Sequence, residues 1–212
     1  SFRLPSMKKG KVIILSGPSG SGKTTLHKEL LASRKAKNTL VKTISFTTRP
    51  RRPGEKQGGD YFFVSPKMFL HKKRSGHFLE SENVFGNYYG TPQKSVRELL
   101  RSGKNVLLCI DVKGAKTVRR KFPEAVTIFI KTPSLKTLAQ RLKARGSEEK
   151  KTLQERLKTA REELKAAKTY EHVIVNDLLR NAYKKLEAIV FTEISKTPRK
   201  EPLKRRKNAR RL

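Results

Sequence analysis

At 212 residues the chain is the size of one compact domain with room for small inserted subdomains. Lys and Arg number 51 against 18 Asp and Glu, a formal net charge of +33, and 35% of residues are hydrophobic. One cysteine excludes an intrachain disulfide, and no apolar run approaches the ~18 residues of a membrane span.

The apolar residues gather in blocks of strand length, so a buried sheet is expected despite the high charge. In chain order, Lys11–Ser16 reads as a strand, Lys23–Ser33 as a helix and Leu40–Ser45 as a second strand. Asn105–Asp111 is a buried strand followed by a helix near Lys113–Lys121. Ala125–Ile130 is a further strand, Ser134–Ala144 a helix, His172–Val175 a short last strand, and Leu178–Glu193 a last helix. This alternation predicts a mostly parallel sheet with helices on both faces. Two regions break it. Phe46–Thr91, rich in Gly, Arg and aromatics, reads as an inserted mixed subdomain with strand-like pieces at Tyr61–Val64 and His77–Ser81. Arg145–Lys168 is a charged helical segment that reads as a lid.

The tail from Lys196 carries many cations and two prolines and cannot build a core, so it is expected to be disordered. Two readings of the surplus charge stay open: weak nonspecific nucleic-acid binding through the tail, or a solvated end reflecting a general bias. Cys109 lies in an apolar run and is expected to be a core thiol in a reducing, cytoplasmic setting. Met7 reads as a natural start. No membrane association is expected.

The most specific motif is Gly17-Pro18-Ser19-Gly20-Ser21-Gly22-Lys23-Thr24-Thr25. Gly, four residues, then Gly-Lys-Thr is the P-loop pattern, and it stands where it must, between a strand and a helix. Backbone N–H groups of such a loop converge on phosphate oxygens, and the helix N-terminus adds partial positive charge. Lys23 would reach the β- and γ-phosphates, and the Thr24 hydroxyl would ligate Mg²⁺. This predicts a nucleoside triphosphate site.

Ser45-Phe46-Thr47-Thr48-Arg49-Pro50-Arg51-Arg52-Pro53-Gly54-Glu55 places three arginines within four residues, an anion clamp suited to bidentate phosphate binding. Glu80 is suited to accept hydrogen bonds from the N1–H and 2-amino group of guanine. Adenine offers neither donor on that edge.

With GPSGSGKTTL, SFTTRPRRPGE, DYFFV, GNYYGT, IDVKGA, RLKARG and VIVND in this order, the chain resembles the guanylate kinase family from about Val12 to Phe191. The resemblance implies a P-loop α/β core (11–44, 92–140 and 169–195) with a GMP-binding subdomain (45–91), a lid (141–168) and a tail (196–212). It implies that Ser45, Arg49, Arg52, Tyr61 and Tyr89 contact the GMP phosphate and that Glu80 and Thr91, with Ser45, read guanine. It places Asp111 near acceptor and metal, Arg145 and Arg156 on the transferring phosphate, and Asn176 near the ATP base. Catalysis would rest on Lys23, Arg49, Arg145 and Arg156, with ATP and GMP as substrates and Mg²⁺ as cofactor. Many relatives carry an acidic residue where Cys109 stands and Gln where Lys113 stands.

Blander roles are expected for several neighbours. Arg51 faces solvent, Phe62 and Phe63 belong to the core, Tyr88 packs, and Thr47 and Thr48 serve the loop's own backbone. The four histidines share no metal-binding spacing. Two rival functions are a non-catalytic binding module of the same family and a basic P-loop ATPase acting on nucleic acid. The intact P-loop and lid arginines argue against the first, and the guanine-reading region argues against the second.

Overall fold

The structure, a computed structural model, describes residues 9–144 and 150–196. Its main sheet has five parallel strands: β1 (Val12–Ser16), β2 (Leu40–Lys42), β7 (Asn105–Cys109), β8 (Val126–Lys131) and β9 (His172–Val175), in the order β2-β7-β1-β8-β9. β1 is buried at all five positions, as a continuous apolar run must be when both faces of a parallel sheet are covered. Its alternate residues feed two cores. Val12 and Ile14 pack beneath α3 (Gln93–Arg101) and α4 (Val112–Lys121). Ile13 and Leu15 pack beneath α1 (Lys23–Ala32) and α7 (Leu179–Ser195). Each such side chain contributes about 1.5–3 kcal/mol of burial.

A second, mixed sheet joins β3 (Phe46–Thr47), β4 (Phe62–Phe63), β5 (Phe78–Val84) and β6 (Asn87–Pro92) in the order β4-β3-β6-β5. Its small aromatic core stacks Phe69 on Phe78 and Tyr88, at centroid distances of 4.6 and 5.3 Å. Outside both sheets, α5 (Leu135–Ala144) and α6 (Lys150–Lys165) bury Leu138, Leu142 and Ala160 against one another. A 3-10 turn, Ala166–Thr169, leads from α6 to β9.

Three sequence expectations are corrected. The strand expected over Leu40–Ser45 stops at Lys42, because the chain there leaves the main sheet for the second one. Helix α2 (Pro66–Arg74) was not expected, although Ser65 caps it by accepting from the Met68 N–H and Pro66 opens its first turn. Helix α3 was likewise not expected. Its buried Val96 and Leu100 are the two positions that face the sheet. The Arg145 end of the expected lid and the tail beyond Lys196 lie outside the described residues.

Candidate active site

Between β1 and α1 the P-loop wraps a cavity of about 250 Å³ at the carboxyl end of the central strand, where open α/β sheets place ligands. Gly22 ends the loop at φ 93°, the left-handed region, and no side chain caps the helix it precedes. The first N–H groups of α1 are therefore left for a ligand. A Cβ on Gly22 would lie 2.2 Å from Asn176 Nδ2, so glycine is required there on two counts. The Lys23 ammonium bonds the Gly17 and Pro18 carbonyls and so lies along the loop.

The same cavity is lined from the P-loop by Gly17, Ser19, Gly20, Gly22, Lys23 and Thr24. From across the cleft it is lined by Ser45, Tyr61, Glu80, Tyr89, Thr91 and Asp111. The P-loop and six of the expected acceptor residues thus face one another in one space, whereas Arg49, Arg52 and Pro18, expected with them, do not line it.

β5 and β6 pair antiparallel and set Glu80 opposite Thr91. The Thr91 hydroxyl donates to Glu80 Oε1 at 2.5 Å. Glu80 is only 6% exposed, and burial pushes its carboxyl up to about 7 against that hydrogen bond, with the Asp111 charge acting in the same direction. Asp111 caps α4 by accepting from the Gly114 N–H at 2.7 Å. A Cβ on Gly114 would lie 2.8 Å from Glu80 Oε2, so glycine there leaves room for the carboxylate. Burial pushes the Tyr61 phenol up to about 12, which keeps it a neutral donor.

Arg49 is held rather than free. Its guanidinium donates to both Glu55 oxygens at 3.0 and 2.7 Å and lies 5.6 and 5.7 Å from the Tyr61 and Phe63 ring centres. Glu55 also accepts from the Arg52 N–H at 2.8 Å. These bonds hold the Glu55 carboxyl below the usual range, the Arg49 hydrogen bond being the largest cause. Arg51 and Arg52 are both exposed. Thr47 and Thr48 bond the backbone of the loop and of Tyr88.

Not every expected contact lines the cavity. Thr25 is exposed. Ser21 and Asn176 are buried behind the loop, where the Asn176 amide donates to the Ser21 carbonyl at 2.8 Å. Asn176 therefore supports the loop from behind. The guanidinium carbon of Arg156, on α6, lies 5.1 Å from the ring centre of Phe85 at the β5–β6 turn. Arg145 lies outside the described residues.

Two acidic residues were missed. Glu82 lines the cavity two positions after Glu80, on the same face of β5. Glu163 lies two helical turns after Arg156 on α6, and burial pushes its carboxyl up to about 7, with Lys23 opposing and Asp111 adding. The strand period of two and the helical spacing of seven would have found them. Cys109, expected in the core, ends β7 at the cavity wall, and burial pushes its thiol up.

Comparison with known proteins agrees with this geometry. The guanylate kinase family profile matches residues 9–193. The chain is 42% identical over 196 residues to a guanylate kinase of Symbiobacterium thermophilum, covering 92% of each chain. It is 44% identical over 183 residues to one of Chlamydia felis, covering 86% of this chain and 88% of that one. The crystal structure of guanylate kinase from Anaplasma phagocytophilum is similar with a TM-score of 0.73 and 34% identity, covering 90% and 89%. A phosphate loop and a carboxylate pocket sharing one cavity, in a chain matched over nearly its whole length, place this protein in the guanylate kinase family.

Proposed function

We propose that the protein transfers the γ-phosphoryl group of ATP to GMP, and to dGMP, giving ADP and GDP. The observation that carries this is the single cavity in which the P-loop faces Glu80, Thr91 and Tyr61. In this reading residues 45–91 are the GMP-binding part, 141–168 the lid and the parallel sheet the core. No helix among the described residues is long and apolar enough to cross a membrane, and a cytoplasmic setting fits the purine-nucleotide role.

Phosphoryl transfer needs alignment and charge neutralisation more than covalent help. Loop N–H groups and Lys23 hold the β- and γ-phosphates. Ser45, Tyr61 and Tyr89 bind the GMP phosphate, with Arg52 and with Arg49 kept in place by Glu55. Glu80, aligned by Thr91, accepts from guanine. Arg156 and Arg145 cover the developing charge and exclude water. No general base is needed, because the acceptor phosphate is already largely anionic.

Magnesium fits the residues present. Among the described residues no three His, Cys, Asp or Glu side chains group to hold a metal alone. The cavity instead offers the Thr24 hydroxyl with Asp111 nearby. Few protein oxygens plus substrate phosphates suit this ion. When bound with ATP it neutralises charge on the phosphates. The basic tail is read as a weak, nonspecific nucleic-acid contact.

A coupled assay with GMP, AMP, CMP and UMP as acceptors tests the proposal. GMP is expected to exceed AMP by roughly 10⁴-fold, because a buried site built to hydrogen-bond rejects partners that leave it unpaired. Equal turnover of AMP would sink it.

A further inference from the structure

The surplus positive charge is not spread evenly over the folded domain. Helices α3 and α4 together carry eight Lys and Arg against one acid, Glu98. Helices α1 and α7, on the other face of the same sheet, carry five against three. On that second face two of the three acids are paired: Glu187 with Lys35 at 2.9 Å, and Glu193 with Lys196. On the first face, among the described residues, no carboxylate lies within 4 Å of a cation of α4. Arg119 and Lys121 instead donate to the neutral carbonyls of Thr169 and Leu79, at 2.9 and 2.6 Å. A general bias toward Lys and Arg would load both faces alike.

The two helices form one surface. Val96 and Leu100 of α3 share a core with Ala115 and Val118 of α4. The Arg97 guanidinium of α3 lies 5.8 Å from the ring centre of Phe122, just past the end of α4. Lys94, Arg101, Lys116, Arg119, Arg120 and Lys121 are exposed across it.

The chemistry of this face selects among polyanions. The exposed large apolar residues of the described chain are Met68, Phe85, Val173, Leu178 and Leu179, none of them on α3 or α4. The face therefore has nothing to insert into a bilayer, where peripheral helices bury an apolar side. Its aromatic ring, Phe122, is 5% exposed and covered by Arg97, so it offers no platform for stacking unpaired bases. What remains is a cluster of exposed cations, which suits a paired backbone read by charge alone.

We infer that the α3–α4 face binds the phosphate backbone of a nucleic-acid duplex. This contact is separate from the nucleotide cavity and from the tail.

The test measures binding of a mixed-sequence DNA duplex by the full chain as a function of salt. One triple variant, Arg101→Gln, Lys116→Gln and Arg120→Gln, removes three cations from the face. A matched triple, Arg180→Gln, Lys184→Gln and Lys185→Gln, removes three exposed cations of α7 and leaves the same net charge. Each lost phosphate contact lowers the log–log salt slope by about 0.9 for a duplex. The first triple is expected to lower it by about 2 to 3, and the second to leave it nearly unchanged. Both are expected to keep kinase turnover, which shows that they fold. Should the first triple not fold, Lys116→Gln and Arg120→Gln alone carry the test, each lowering the slope by about 0.9. Equal loss in both triples would overturn the inference by making net charge the only cause. An unchanged slope in the face variant would assign binding to the tail. Tighter binding to phosphatidylserine vesicles or to single strands than to the duplex would likewise overturn it.

Discussion

Asn176 donates its side-chain amide to the carbonyl of Ser21 at 2.8 Å from beneath the P-loop, joining the end of the last strand to the phosphate-binding turn. Both residues are buried, so the bond is unscreened and its loss leaves the Ser21 carbonyl unpaired. Asn176→Ala is expected to cost about 1–3 kcal/mol of stability and to raise KM for ATP more than KM for GMP. Steady-state kinetics with each substrate varied in turn check this. An equal rise for both substrates would mean that the loop is not what Asn176 positions.

Glu80 sets a pH dependence whose sign is determined by burial. Its folded value of about 7 lies above the ordinary carboxylate value of 4.5. The folded chain therefore holds more protons than the unfolded chain between these values. The stability linked to this group is full below 4.5 and is lost as pH rises through about 7. Glu80→Gln removes that loss, so at pH 8 the ligand-free variant should be the more stable protein, by on the order of 3 kcal/mol. Guanine binding should move the other way, because it needs the ionised carboxylate. Thermal melts and GMP titrations at pH 5.5 and pH 8 measure the two effects, and a variant less stable than the parent at pH 8 contradicts the first.

Gly114→Ala separates helix propensity from site geometry. Alanine favours a helix over glycine by about 1 kcal/mol. The new Cβ, however, would lie 2.8 Å from Glu80 Oε2 and push the carboxylate out of line. The expected variant folds but loses at least about tenfold in kcat/KM for GMP, a cost of about 1.4 kcal/mol in transition-state binding. Its KM for ATP should hold. Unchanged GMP kinetics would show that Glu80 has slack.

Glu55 keeps Arg49 aligned, so Glu55→Ala should raise KM for GMP about tenfold with kcat less affected. Because Arg49 holds the Glu55 carboxyl below its ordinary value, the order of this loop is present above that value and lost as pH falls beneath it. Calorimetry with GMP on the variant gives the answer directly, and tighter GMP binding would mean that Glu55 restrains rather than aligns the clamp.

Lys23→Ala should abolish transfer while GMP binding survives on Tyr61, Tyr89 and the arginines. Loss of GMP binding in a folded variant would show that the two half-sites depend on one another.

Much of this was legible in the residues themselves. The apolar blocks at Val12–Leu15 and Val126–Ile130 have no reading other than central strands, and the glycine spacing of the P-loop is dictated by phosphate geometry. On the acceptor side Glu80, Thr91 and Tyr61 were legible as residues of the cavity, whereas the arginines beside them do not line it. Less legible was whatever depended on tertiary contact. α2 is short and buries only Phe69, so its hydrophobic pattern is faint against Lys and Arg, whereas α3 is clearly amphipathic, with Val96 and Leu100 one turn apart on its buried side, and was legible in its period. Asn176 reads as a nucleotide contact until the fold puts it behind the loop. Glu163 reads as one more surface charge on a charged helix until α6 brings it into the field of Lys23. Cys109 reads as a core residue because nothing in an apolar run marks where a strand ends at a cavity.

The β5–β6 hairpin has a mechanical meaning. One end of this ribbon holds Glu80 opposite Thr91, and the other end, at Phe85, lies under Arg156 of α6. A two-stranded ribbon transmits a tilt along its length far better than a loop does. The ribbon therefore ties the Glu80–Thr91 pair at one end to α6 at the other, so a variant that frays the pairing between them would be felt at both ends.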